Sequence, residues 1–189
     1  QSRLADRLVF SKIREGVGGR LRFAVSGSAP LGESLARWFY GAGLPILEGY
    51  GLTETAPVLT VMPLKELRFG TVGAPLPGVE LKIADDGEIL ARGPNVMQGY
   101  YHRPVETAAV LRDGWFHTGD VLSADADGFH TVRGRLKEMY KSGGENVASR
   151  EVEEVIHAHA AVAEAAVFGI PHPRWIEAVA AVVVPRAGH

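Results

Sequence analysis

The chain has 189 residues, of which 46% are hydrophobic and 22% charged, and this composition predicts a globular protein with at least one sizeable core. Its formal net charge of -2 at pH 7 argues against a nucleic acid partner, because a phosphate backbone is bound by a basic excess. The absence of cysteine excludes disulfide frameworks, thiolate metal sites and thiol nucleophiles. It also fits a reducing compartment, so we expect a cytoplasmic protein.

No apolar run approaches the ~20 residues that a membrane-spanning helix needs, and the first residues form no recognisable signal peptide. Peripheral contact with a membrane and the oligomeric state are left open. Because the chain begins with Gln1 instead of Met and stops just after an apolar run, we expect it to be an excerpt from a longer protein.

The first third of the chain alternates helix and strand. Apolar residues at helical spacing, among them Leu4, Leu8 and Ile13, predict a helix that ends at the glycines of residues 16–19. Short buried strands are predicted over residues 21–26 and 45–48, with an amphipathic helix around Leu35 and Trp38 between them. This pattern indicates an α/β layer over residues 1–68. The loops after the two strands are expected to lie at one sheet edge, where they can line one pocket.

From residue 69 to residue 136 the pattern changes to a β-rich subdomain. Val79, Leu81 and Ile83 alternate with polar residues. Asp-Gly pairs occur at residues 86–87, 113–114 and 127–128, and the first and third lie between strand-like runs, which predicts hairpins. A short helix opened by proline is predicted over residues 104–111.

We place a domain boundary near Lys137, so that residues 1–136 form one domain and residues 137–189 begin another. Residues 137–141 read as extended, the glycine pair at residues 143–144 as a tight turn before a helix, and Ser149 as the cap of that helix. Two apolar runs, residues 162–170 and 178–184, complete an α+β unit that looks unfinished.

One octapeptide contains groups suited to holding a nucleotide. Gly51 permits a sharp turn and close backbone approach, and Tyr50 offers a flat face to a base. Thr53 can donate to a phosphate oxygen, and Glu54 can bind Mg²⁺, which is typically held by one or two carboxylates plus substrate phosphates. The alternative is a plain strand-to-helix connection with Thr53 as N-cap. The full stretch is Glu48-Gly49-Tyr50-Gly51-Leu52-Thr53-Glu54-Thr55.

Two later segments add candidate residues. Asp120 follows a glycine after an aromatic-rich strand, a placement suited to accepting both hydroxyls of a ribose, although it could equally cap a turn. Arg135 can return to the same ribose or phosphate, and the alternative is a solvated surface arginine. The hairpin and loop of residues 87–100 are interpreted as structural. Transition-metal, serine-hydrolase and P-loop motifs are missing from the sequence.

In chain order, these segments resemble the acyl-adenylate-forming (AMP-binding) enzymes, and most of all the bacterial long-chain fatty acyl-CoA synthetases. The matching pieces are Tyr50-Gly51-Leu52-Thr53-Glu54, the Gly-Glu hairpin from Gly87 to Tyr100, Thr118-Gly119-Asp120 and Gly134-Arg135-Leu136-Lys137. The implied fold is the C-terminal part of the large adenylate-forming α/β domain, with its β-rich subdomain, followed by an incomplete small α+β domain. The implied reaction uses ATP and Mg²⁺ to convert a carboxylic acid to acyl-AMP, and coenzyme A then displaces AMP.

The resemblance also implies residue roles, some of them catalytic (Thr53, Glu54 and Lys137). Tyr50 would stack on adenine, Thr53 would contact the α-phosphate, and Glu54 would bind Mg²⁺. Asp120 and Arg135 would hold the ribose. The remaining roles are the border of the adenine and acyl pocket (Gly27 and Ser28), cofactor binding (Gly51), the hinge of the small domain (Lys137) and the pantetheine path (Ser142, Gly143 and Gly144).

Two elements of the family are missing, namely the phosphate loop with its lysine and the C-terminal lysine that serves adenylation. We therefore expect the parent protein to be a ligase and this chain alone to be nearly inactive. Two alternatives stay open. One is the adenylation domain of a peptide-synthetase assembly line, and the other is a non-catalytic nucleotide-binding fragment.

Overall fold

A computed structural model describes residues 5–29 and 31–188, so Leu4 of the predicted first helix lies outside the described residues. Within them the helices are a π-helical turn, Asp6–Phe10, followed by α1 (Ser11–Gly16), α2 (Glu33–Gly41), α3 (Pro104–Val110) and α4 (Ser149–His157). Two short 3₁₀ turns are Thr53–Thr55 and Leu136–Glu138. No described helix is both long and apolar enough to cross a membrane.

The strands form three sheets. The first has the order β1-β2-β3-β4, from β1 (Ala24–Ser26), β2 (Ile46–Tyr50), β3 (Thr60–Val61) and β4 (Ala74–Pro75). The second has the order β5-β6-β8-β7 with β9 paired to β8, from β5 (Glu80–Ile83), β6 (Glu88–Arg92), β7 (Leu111–Arg112), β8 (Trp115–Ala124) and β9 (His130–Arg135). The third has the order β11-β10-β13-β12, from β10 (Met139–Ser142), β11 (Glu145–Ala148), β12 (Val162–His172) and β13 (Ile176–Pro185).

The α/β start of the chain is confirmed, with one shorter strand than predicted. β1 and β2 are parallel and pair Ala24 with Ile46 and Ser26 with Glu48. The predicted strand over residues 21–26 is reduced to Ala24–Ser26. One position before the first pair stands Pro45, and a proline has no N–H with which to extend the ladder. β2 in turn runs further than predicted and ends at Tyr50.

The predicted turns of the β-rich region are also confirmed, and one of them closes a hairpin that was not predicted. The Asp-Gly pairs at residues 86–87 and 127–128 lie between β5 and β6 and between β8 and β9. The pair at residues 113–114 also closes a hairpin, because Arg112 pairs with Trp115. The sequence did not predict this hairpin because the residues before it read as a helix, and the structure ends α3 at Val110.

Three expectations for the last third of the chain are wrong in detail. Lys137 lies in a 3₁₀ turn, and the strand begins only at Met139. The glycine pair forms the hairpin turn between β10 and β11, so a strand separates it from the helix. Ala148 occupies the N-cap of α4, while the hydroxyl of Ser149, the first helical residue, donates to the carbonyl of Glu138 at 3.5 Å.

The chain folds into two units. The first comprises Gln1–Lys82, Leu90–Thr118 and Ser123–Val132, and the second Ile83–Ile89, Gly119–Leu122 and Arg133–His189. The first unit contains two apolar clusters, one of Leu47, Met62 and Phe129 and one of Leu59, Ala91 and Phe116. In the second unit α4 lies against β12, where the carboxylate of Glu153 accepts the N–H of Val167 at 2.9 Å. This unit buries Tyr140, Ala148, Val162 and Val167.

Candidate nucleotide-binding site

The loops after β1 and β2 lie side by side in the first unit. Parallel pairing of Ser26 with Glu48 brings the carboxyl ends of both strands to one edge. A Cβ built on Gly27 would lie 3.6 Å from the carbonyl oxygen of Gly49. The buried carboxylate of Glu48 accepts the N–H of Leu31 at 3.0 Å and so joins the first loop to β2. The expected shared edge is confirmed, and it is where open α/β sheets bind their ligands.

The octapeptide begins inside β2 and leaves it after Tyr50. Tyr50 is half-buried and packs against the cluster of Leu59, Ala91 and Phe116. Gly51 follows at a point where no side chain fits, since a Cβ there would lie 1.8 Å from the carbonyl oxygen of Pro57. The close backbone approach that the sequence suggested for Gly51 is therefore present, and it is an approach to the chain's own loop.

The turn that follows is closed by Thr55, and Thr53 does not cap it. The hydroxyl of Thr55 accepts the N–H of Leu52 at 2.9 Å and lies 3.0 Å from the carbonyl oxygens of Leu52 and Pro57. Thr53 is exposed within the 3₁₀ turn, whose N-cap is Leu52. The alternative of Thr53 as a helix N-cap is wrong. Thr55 was missed, although hydroxyl residues that bond to their own backbone are a known turn signal.

The loop of residues 95–100 holds the same turn from the other side. The amide of Asn95 donates to the carbonyls of Thr55 at 2.9 Å and Val58 at 2.8 Å. The N–H of Met97 donates to the carbonyl of Glu54 at 2.7 Å, and the hydroxyl of Tyr100 donates to Oε1 of Glu54 at 2.9 Å. The structural interpretation of this segment is confirmed. The sequence did not predict that this loop supports the turn at residues 53–55, because the loop carries no reactive group that would draw attention to it.

The residues around Glu54 fit a hard divalent cation of the magnesium type. Within residues 5–29 and 31–188 no cluster of three or more His, Asp or Glu side chains is arranged to hold a metal by itself. A half-exposed carboxylate on a loop is what a cation needs when phosphate oxygens supply its other ligands. Glu54 would be the protein ligand in such a site.

In the second unit, Asp120 and Arg135 lie together. Nε of Arg135 is 3.5 Å from Oδ1 of Asp120, and the aspartate is buried. Asp120 lies within β8, whereas the sequence placed it after a strand. The strand continues through Gly119, whose φ is 73°. The N–H of Gly119 donates to Oε1 of the buried Glu88 at 2.8 Å, a contact that sequence reasoning missed.

The remaining predicted residues of the second unit lie on two turns. Lys137 is the middle residue of the 3₁₀ turn between β9 and β10. Ser142 ends β10 and pairs with Ile176, and the N–H of Gly143 donates to the carbonyl of Trp175 at 3.3 Å. A Cβ built on Gly143 or Gly144 would meet no atom within 4 Å, so this turn is open on its outer side.

The sequence matches the profile of the AMP-binding enzymes over residues 3–101 and that of the AMP-binding enzyme C-terminal domain over residues 151–189. It is 47% identical over 169 residues to a long-chain-fatty-acid–CoA ligase of Mycobacterium bovis, a match that covers 89% of this chain and 28% of the relative. It is 43% identical over 180 residues to a feruloyl-CoA synthase of Amycolatopsis, covering 89% of this chain and 37% of the relative.

Among solved structures, the fold is similar to that of ATP-bound MatB from Rhodopseudomonas palustris, with a TM-score of 0.81 and 39% sequence identity. That match covers 92% of this chain and 37% of the MatB chain. The chain therefore spans well under half the length of the relatives it matches. The first profile alone covers more than half of the 189 residues. This chain belongs to the family of AMP-binding enzymes.

Proposed function

We propose that the chain is part of an ATP-dependent acid–thiol ligase, which activates a carboxylic acid, in first place a fatty acid, and transfers it to coenzyme A. The products are acyl-CoA, AMP and pyrophosphate. One observation carries the proposal: the Tyr50–Glu54 segment leaves the carboxyl edge of a parallel strand pair in a chain of the AMP-binding family. We place the boundary between the large and small domains near Lys137.

In the first half-reaction an oxygen of the acid's carboxylate attacks the α-phosphorus of ATP, and the bond to the bridging oxygen breaks to release pyrophosphate. Tyr50 stacks on the adenine beside a pocket bordered by Gly27, Ser28 and Gly51. The exposed hydroxyl of Thr53 donates to the α-phosphate. A bound Mg²⁺ would neutralise charge on the phosphates, and the Glu54 carboxylate is the group of this chain that would hold it.

The ribose is held by Asp120 with the help of Arg135. An ionised carboxylate can accept a hydrogen bond from each ribose hydroxyl, and such bonds contribute about 1.5 to 3 kcal/mol each. The guanidinium beside it keeps that carboxylate oriented, since the two groups already lie 3.5 Å apart. Positioning and neutralisation of charge account for most of the catalysis expected here.

In the second half-reaction the thiol of coenzyme A attacks the acyl carbonyl and AMP leaves with the electron pair of the broken bond. AMP is a far better leaving group than hydroxide, so one difficult condensation becomes two easier steps. Lys137 is the hinge on which the small domain turns between the steps. Ser142, Gly143 and Gly144 line the path of the pantetheine, which is consistent with the open outer side of their turn.

The names of two relatives indicate two classes of carboxylic acid. The relative at 47% identity is named for long-chain fatty acids, and the relative at 43% identity for ferulic acid, which is aromatic. The difference in identity is small, so a fatty acid is the first substrate to test and an aromatic acid the second.

Acid-dependent exchange of labelled pyrophosphate into ATP, measured without coenzyme A, tests the first half-reaction. We expect exchange from the longer protein that contains this sequence and almost none from the 189-residue chain alone. Exchange by neither protein with any acid would contradict the proposal and favour a non-catalytic nucleotide-binding protein. Robust exchange by the chain alone would contradict the expected inactivity of the fragment.

The acceptor is tested next, by supplying coenzyme A or a carrier protein bearing a pantetheine arm after the acyl-AMP has formed. Thioester formation on coenzyme A supports the ligase. Acylation of the carrier protein alone would identify an assembly-line adenylation domain instead.

A further inference from the structure

We propose that Tyr100 is a positioning residue whose hydroxyl orients the Glu54 carboxylate toward a divalent cation. The inference rests on the proposed function, because it takes Glu54 as the protein's cation ligand. It concerns a residue that carries no chemistry of its own and lies in a loop the sequence marks only as structural.

Hydrogen bonds fix the backbone of Glu54 and its neighbour Thr55. The carbonyl of Glu54 accepts the N–H of Met97 at 2.7 Å, and the carbonyl of Thr55 accepts the Asn95 amide at 2.9 Å. Rotation about the side-chain bonds of Glu54 is the freedom that remains. The Tyr100 hydroxyl, 2.9 Å from Oε1, restricts that rotation.

Tyr100 is itself tied to a helix by a hydrogen bond. Its N–H donates to Oγ1 of Thr107 at 2.9 Å, and the same threonine hydroxyl donates to the carbonyl of Arg103 at 2.7 Å. Thr107 belongs to α3, and Arg103 is the N-cap of that helix. A chain of hydrogen bonds therefore leads from the start of α3 through Tyr100 to the carboxylate.

A phenol donates one hydrogen bond, so it occupies one oxygen of the carboxylate and leaves the lone pairs of Oε2 for a cation. Groups that orient a metal ligand through such a bond typically change metal affinity by roughly 10- to 100-fold when removed.

Tyr100→Phe removes only the hydroxyl, and Tyr101→Phe is its matched control. Tyr101 is the next residue, is 88% exposed and has its ring against His102. Both variants are made in the longer protein, and the affinity for a non-hydrolysable ATP analogue is measured by calorimetry with Mg²⁺ and again in EDTA. We expect Tyr100→Phe to weaken binding of the analogue about 10-fold with Mg²⁺, the lower limit for groups that orient a metal ligand. Binding in EDTA should be unchanged. Tyr101→Phe should match the wild type in both.

Equal weakening of Tyr100→Phe with and without Mg²⁺ would show a purely structural role and overturn the inference. Binding unchanged from the wild type in both conditions would overturn it as well. If the wild type itself bound the analogue no better with Mg²⁺, both the inference and the role of Glu54 in the proposed function would fall.

Discussion

Asp120 and Arg135 form an ion pair in which one partner is buried and the other is not. The carboxylate is 12% exposed and the guanidinium 69%, with 3.5 Å between Oδ1 and Nε. Because the guanidinium is largely in water, a pair of this length contributes little to stability. The buried carboxylate with the guanidinium beside it is the arrangement that the proposed ribose role of Asp120 requires.

Asp120→Ala in the longer protein should weaken the productive ATP complex by about 2 to 4 kcal/mol, the value of two charge-assisted hydrogen bonds reduced by the water that replaces the carboxylate. The ATP dependence of pyrophosphate exchange measures the loss. Asp85→Ala, at an exposed residue, is the control and should change nothing. Unchanged kinetics in Asp120→Ala would remove Asp120 from the site.

Lys137→Pro should spare the adenylation step and impair thioester formation. Proline fixes the φ angle at this position and pushes Leu136 out of the helical region, so a hinge in this 3₁₀ turn would lose its freedom. Pyrophosphate exchange and acyl-CoA formation are measured separately. Lys137→Ala removes the same side chain but keeps the backbone free, so it should impair thioester formation less than Lys137→Pro does. Equal loss of both steps in Lys137→Pro would argue against a hinge here.

Gly51→Ala should destabilise the loop of the octapeptide by roughly 1 to 3 kcal/mol, the usual cost of an extra group in a packed site. The new Cβ would meet the Pro57 carbonyl at 1.8 Å and the α-carbon of Val58 at 2.9 Å, so the backbone must move. Thermal unfolding of the chain measures the effect. The control is Gly16→Ala at the end of α1, where a Cβ meets nothing within 4 Å. Equal melting temperatures for the two variants would contradict the crowding at Gly51.

The stability of the chain should fall as the pH is lowered through the range below about 6.5, the ordinary pKa of histidine. Burial lowers the pKa of His130 in the folded state, although hydrogen bonds to the backbone of Gly73 and Gly128 act in the opposite direction. The unfolded chain therefore binds the proton first as the pH falls. The stabilisation is complete above the unfolded pKa and is lost toward the lower folded pKa.

Urea unfolding between about pH 8 and pH 5 checks this expectation, since this range brackets the ordinary histidine pKa. His130→Phe should flatten the dependence in that range, because it removes the imidazole whose pKa burial lowers. His157→Gln, at an exposed residue of α4, should leave the dependence as it is. An equally steep profile in His130→Phe would assign the effect to other groups.

The features that the sequence predicted correctly depend on neighbours along the chain. The apolar spacing around Leu35 and Trp38 predicts α2, and Asp-Gly pairs predict hairpin turns, because the backbone conformation there is set by the residues themselves. The motif of Tyr50 to Glu54 identifies the family for the same reason, since its residue types and their order are readable without a fold.

What only the tertiary structure decided are contacts between residues far apart in the chain. The bond from Tyr100 to Glu54 spans 46 positions, and that from Gly119 to Glu88 spans 31. Asp120 was predicted to follow a strand, yet β8 runs through Gly119 and includes Asp120. The sequence by itself determined which groups are available to a nucleotide, through local conformation and residue type. The tertiary structure decided which groups hold them in place, because those partners are brought near only by the packing of distant segments.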